Sequence, residues 1–106
     1  MEKRLLKRKI ANIKAEVLLE GEKSAGLIEN VSAGGLYLVT APSSKSGDFD
    51  EGKTVKVSFI GPSGSIIELD CCVIWGYKTP PHGLTQSVGM EIKTSCQEFT
   101  DFYNGL

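Results

Sequence analysis

The sequence predicts a mainly β fold: a six-stranded antiparallel (split) β-barrel with a C-terminal α-helix and a flexible basic N-terminal arm. Three observations carry this reading. Apolar residues alternate with polar ones through most of the 106 residues, which places them on one face of a strand. Clusters of Gly, Pro, Asp and Ser recur at short intervals between the alternating runs. Only the end of the chain changes to a helical period. Short strands in this number close most simply as a barrel, which removes exposed edges.

The elements follow in order. Residues 1–9 are the predicted arm and residues 10–106 a single barrel domain. Within the arm Lys3, Arg4, Lys7, Arg8 and Lys9 oppose only Glu2, and Leu5 and Leu6 are the large apolar residues beyond Met1. Such a segment repels itself and buries too little to offset its ordering entropy. Ile13, Ala15, Val17 and Leu19 then alternate with Lys14 and Glu16, a first strand. A basic amphipathic helix competes here, because Leu6, Ile10, Ile13 and Val17 also share one helix face; the alternation favours an arm leading into a strand. Beyond the Glu20-Gly21-Glu22 turn, Ala25–Val31 forms a second strand, and Gly35 opens a third over Leu36–Thr40. Residues 41–52 are a loop by composition. Val55, Val57 and Phe59 mark the fourth strand, and Gly61-Pro62-Ser63-Gly64 a tight turn. Ile67, Leu69, Cys71, Val73, Trp75 and Tyr77 share one parity along a long fifth strand or a bent pair. Pro80-Pro81-His82-Gly83 interrupts the chain, and Val88, Met90 and Ile92 resume it as a sixth. Phe99, Phe102, Tyr103 and Leu106 fall on one helix face. Ser95 with Glu98 reads as a capping box, and Gly105 lies near the end, so the helix is expected over 95–105. Its aromatic face would plug one open end of the barrel or cover a seam.

Composition narrows the function. With 41% hydrophobic and 24% charged residues, the chain is an ordinary globular domain. No apolar run reaches the length of a membrane span, and no uninterrupted apolar stretch follows the basic N-terminus as in a signal peptide. A cytoplasmic location is the expectation. The net charge of −1 conceals an asymmetry. Residues 1–14 carry six basic side chains against one acidic, whereas the other 92 residues carry six basic and twelve acidic. A basic arm on an acidic body suits an anionic partner. Cys71, Cys72 and Cys96 are odd in number and lack CxxC spacing, so they read as buried reduced thiols rather than a disulfide or metal set. His82 stands alone in its loop, and Ser32 lacks a strained nucleophile elbow. Nothing in the sequence indicates an enzyme, a cofactor or a metal.

Two short motifs do stand out together. Arg4 and Arg8 form an Arg-x-x-x-Arg pair in the arm. Asn30-Val31-Ser32-Ala33-Gly34-Gly35 reads Asn-x-Ser-x-x-Gly at a strand junction. Each is commonplace alone, because turns favour Asn, Ser and Gly; the pair in this order is uncommon. In these residues the chain resembles the PilZ domains, bacterial receptors for cyclic di-GMP. The resemblance extends over nearly the whole chain. It takes in the Ile13–Leu19 strand after Arg8, Gly52 before the Thr54–Phe59 strand, and Val88-Gly89-Met90-Glu91-Ile92 before the final helix.

The resemblance implies a non-enzymatic receptor whose only small ligand is cyclic di-GMP. Arginine forks match the paired O6 and N7 acceptors of guanine and grip phosphates through charge-assisted bonds. By resemblance Arg4 and Arg8 take these roles, Asn30 bonds guanine, Ser32 donates to a phosphate oxygen, and Gly35 permits a tight turn or a close approach. Asn30 departs from the usual Asp, and Lys3 occupies a position linked to one or two bound ligand molecules. Binding would order the arm and so change the surface offered to a downstream effector protein, or to a second copy in a homodimer. Two other readings stand beside this one. A degenerate PilZ-like adaptor would bind protein only. A nucleic-acid-binding barrel would need aromatic residues interleaved with basic ones, and this sequence lacks them; no nucleic-acid partner is expected.

Overall fold

Six antiparallel strands and one helix account for most of the residues that the computed structural model describes, which are 8–41, 49–78, 85–94 and 96–106. The strands are β1 (Lys9–Leu19), β2 (Glu22–Ser32), β3 (Gly35–Ala41), β4 (Thr54–Ile60), β5 (Ile66–Lys78) and β6 (Gln86–Thr94), followed by α1 (Gln97–Asn104). They close into a barrel in the order β1-β2-β3-β6-β5-β4. The closing seam is short, because β1 and β4 pair only over Glu16–Leu18 and Lys56–Ser58. The barrel nevertheless closes there, and its six antiparallel strands are those the sequence predicts.

The expected alternation fills the interior. Val17, Leu19, Ile28, Leu38, Val57, Leu69 and Val88 are fully enclosed. Each such side chain contributes about 1.5–3 kcal/mol of apolar burial. On α1 the buried residues are Phe99 and Phe102, and the Phe102 ring lies 5.1 Å from that of Phe59 on β4. The helix thus covers the barrel with its aromatic face. No helix among the described residues is long and apolar enough to cross a membrane.

Several expectations change in detail. β1 begins at Lys9, the last residue of the predicted arm, so the competing amphipathic helix does not form over residues 9–19. The fifth segment is one continuous strand. The helix is capped by Cys96 in an extended conformation with no side-chain capping bond; Ser95 of the expected capping box lies outside the described residues, as do residues 1–7, 42–48 and the Pro80–Gly83 loop. Gly105 ends the helix in a right-handed conformation, and its N–H donates to Asp101 and Phe102 carbonyls. Phe49 falls in a stretch that reads as loop, yet it is among the most buried side chains. Its N–H donates to the Gln86 Oε1 at 3.1 Å, and Gly76 leaves room for its carbonyl. The thiols differ too. Cys71 is buried, whereas Cys72, its neighbour in the strand, faces the opposite side and is only partly covered, as is Cys96 before α1.

Candidate functional site

Register places one outward row of residues across five strands. Ile10 on β1 pairs with Asn30 on β2, Asn30 with Tyr37 on β3, Tyr37 with Gly89 on β6, and Gly89 with Trp75 on β5. Two residues along, Ser32 pairs with Gly35 and Gly35 with Glu91. Between the rows lie Val31, Leu36, Met90 and Val73, all directed into the core. On this outer face a cavity of about 170 Å³ is lined by Arg8, Asn30, Ser32, Gly35, Trp75 and Met90 among others.

Two bulges aim these side chains outward. On β2 the inward residues Ser24 and Ile28 are even-numbered, so simple alternation would also bury Asn30 and Ser32. The register shift between Ile28 and Asn30 inserts Glu29 as an extra residue. Val31 then turns into the core, and Asn30 and Ser32 face out. A bulge bends its strand and reverses parity in this way, commonly beside a functional site. On β5 the same happens between Val73 and Trp75, where Ile74 is the extra residue. The shared parity places Trp75 with Val73, but Trp75 is 36% exposed and joins the outer face.

Trp75 is the site residue that sequence reasoning missed. Its ring lies over Gly89, where an added Cβ would come within 2.5 Å of the indole. It also meets Tyr37 at 5.4 Å between ring centroids, tilted by 43°. The legible sign was a glycine inside an otherwise apolar strand, which often marks the close approach of another group. Gly35 is also constrained by packing. A Cβ there would sit 2.7 Å from the Met90 carbonyl oxygen, so its need for glycine arises from the neighbouring strand and not from a positive φ.

The polar groups are poised rather than consumed. The Ser32 hydroxyl donates to the Gly35 carbonyl at 3.4 Å, a long bond that a better acceptor could displace. Among the described residues, the Arg8 guanidinium and the Asn30 amide make no hydrogen bond or ion pair. Pairing of Lys9 with Val31 holds Arg8 beside the end of β2, next to Ser32. Glu91, the acidic neighbour of Gly35, is met by Lys93 at 3.5 Å. Arg4 and Lys3 lie outside the described residues.

The other features suit an anion less well. A larger cavity of about 470 Å³ between the β4–β5 turn and α1 is lined by Glu98 and Asp101 and by no lysine or arginine. No cluster of potential metal ligands occurs among the described residues. Burial, reinforced by Asp70 and Cys72, pushes the Cys71 thiol up to about 12, so it stays protonated and unreactive.

The arrangement offers a guanidinium, an amide, a hydroxyl and an aromatic face on one side of a rigid barrel. Comparison with known proteins bears on the fold and the family. The solved structure of the Bacillus subtilis inhibitor of motility (MotI/DgrA) resembles this one with a TM-score of 0.75 at 17% identity. The match covers 99% of this chain and 49% of that one, so the chain spans about half the length of that protein. No curated protein matches the sequence. The PilZ domain, as a family, matches residues 2–98, which take in both short motifs and all six strands, and the chain accordingly belongs to the PilZ domain family.

Proposed function

We propose that this domain is a non-enzymatic receptor for cyclic di-GMP, which binds on the outer face formed by β1, β2, β3, β6 and β5. The observation that carries the reading is the convergence of Arg8, Asn30, Ser32 and Gly35 on one cavity. Arg8 would supply paired donors to a guanine edge or a phosphate. Asn30 would bond guanine, and Ser32 would exchange its long bond to Gly35 for a phosphate oxygen. Trp75 would stack on one base. At about 170 Å³ the cavity is smaller than a typical pocket for a drug-sized ligand. A cyclic dinucleotide would therefore lie across the face with one group inserted. That leaves its outer side to Arg4 and Lys3, which the resemblance assigns to the same ligand. Ordering of the arm over the ligand would present a new surface to an effector protein in the cytoplasm. Titration calorimetry with cyclic di-GMP, with GTP and single-stranded RNA as controls, tests the reading. Saturable heat with the dinucleotide alone supports it. No heat with the dinucleotide leaves the protein-binding adaptor, and heat with RNA favours the nucleic-acid barrel.

A further inference from the structure

We infer that Lys9 is a positioning residue for the nucleotide site, tying the start of β1 to the last turn of α1. The inference rests on the proposed binding site. Lys9 directly follows Arg8, and its backbone pairs with Val31, which lies between Asn30 and Ser32. Its side chain does not line the cavity that these residues share. Instead the ammonium turns to the helix. Nζ donates to the Tyr103 carbonyl at 3.0 Å and lies 4.4 Å from the centre of the Tyr103 ring.

This cation sits where a helix end favours positive charge. The last four carbonyls of any helix lack intrahelical partners and carry partial negative charge. The last turn of α1 holds no basic residue of its own. The Tyr103 carbonyl accepts from the Leu106 N–H at 3.2 Å and from Lys9. Lys9 thus supplies across space the charge that the helix lacks in sequence. It also adds a second hold, beside the backbone pairing with Val31, on the residue after Arg8, so that the guanidinium starts from a defined place beside Ser32. Two sites are linked through one side chain, and linkage is reciprocal. If the tie to α1 strengthens nucleotide binding, bound nucleotide must strengthen the last turn of α1 by the same factor.

The experiment combines binding with amide exchange on the full chain. Lys9→Met keeps the alkyl stem but removes the donor and the charge, and should weaken cyclic di-GMP binding about five- to tenfold. Lys9→Arg, which can donate to the same carbonyl and stack on the same ring, should bind within about twofold of the parent. Tyr103→Leu leaves the charge in place but removes the ring, and should weaken binding about two- to fivefold. The double variant should be no worse than Lys9→Met alone, because both changes break one tie. Tyr103→Leu binding like the parent, or a double variant whose loss is the sum of two real single losses, would show Lys9 acting as a bare charge and would overturn the inference. In the parent, saturating nucleotide should slow exchange at the Gly105 and Leu106 amides, and Lys9→Met should abolish that slowing. Unchanged exchange on binding also overturns it. Should the parent not bind cyclic di-GMP at all, the site reading fails separately. The tie is then tested in the free protein, where Lys9→Met must speed Leu106 exchange; no change there would refute it.

Discussion

Replacing Trp75 tests the site where the structure departs furthest from the sequence. The indole lies over Gly89, close enough that a Cβ there would clash at 2.5 Å, and it packs on the Tyr37 ring at a tilt of 43°. One ring face therefore lies against the barrel, so at most one base stacks on this indole in the proposed complex. Stacking of one base on an aromatic side chain is worth about 1–3 kcal/mol. Taking about 2 kcal/mol, Trp75→Ala should weaken cyclic di-GMP binding roughly thirtyfold. Trp75→Phe, which keeps a smaller π face, should lose less, whereas Trp75→Leu, equally apolar but without one, should resemble Ala. The same truncation removes the contact with Tyr37, worth about 0.5–1.5 kcal/mol. The free protein should then melt several degrees lower, at about 4–8 °C per kcal/mol for a domain of this size. Calorimetry gives the affinities. Because Trp75 is the chain's single tryptophan, its fluorescence gives a direct report of stacking. Equal affinity of the Trp, Leu and Ala proteins, or saturation by calorimetry with no change in emission, would refute the stacking argument.

Other substitutions separate binding from folding. Arg8→Ala should weaken binding about a hundredfold through loss of a charge-assisted contact worth about 2–3 kcal/mol, with the melting temperature of the free protein almost unchanged; a variant that unfolds would make Arg8 structural. Asn30→Asp should tighten binding if the residue faces the N1 and N2 donors of guanine, and weaker binding in calorimetry would instead place the amide against O6 and N7. Gly35→Ala should destabilise the protein by about 1–3 kcal/mol in urea, with or without ligand, because the new methyl meets the Met90 carbonyl oxygen at 2.7 Å; full stability with lost binding would reverse this assignment. The Cys71 thiol, raised from 9.0 to about 12 in the fold, binds a proton more tightly folded than unfolded. Its contribution to stability is complete below pH 9 and is lost as pH rises toward 12. At pH 8, alkylation followed by mass spectrometry should label Cys72 and Cys96 before Cys71.

Much of this protein was legible in its sequence because the information is local. Period-two alternation in Val17–Leu19, Val55–Phe59 and Ile67–Val73 marks strands wherever half of each strand meets a core. The spacing of Phe99, Phe102 and Tyr103 marks a helix for the same reason. The Arg-x-x-x-Arg and Asn-x-Ser-x-x-Gly motifs identified the family, since each holds its residues within a few positions. Register and direction lie beyond such reasoning. Continued alternation would have buried Asn30, Ser32 and Trp75, and only the bulges at Glu29 and Ile74 turn them outward. A bulge is decided by pairing with a partner strand far away in the chain, so no local pattern announces it. The burial of Phe49 likewise depends on Gly76 and Gln86. The bond from Lys9 to Tyr103 joins residues 94 positions apart, and only the docking of α1 on the barrel brings them together. The sequence by itself determined the elements, the family and the groups available for binding; the tertiary structure decided which of those groups share a surface, because strand register sets the face on which each side chain stands.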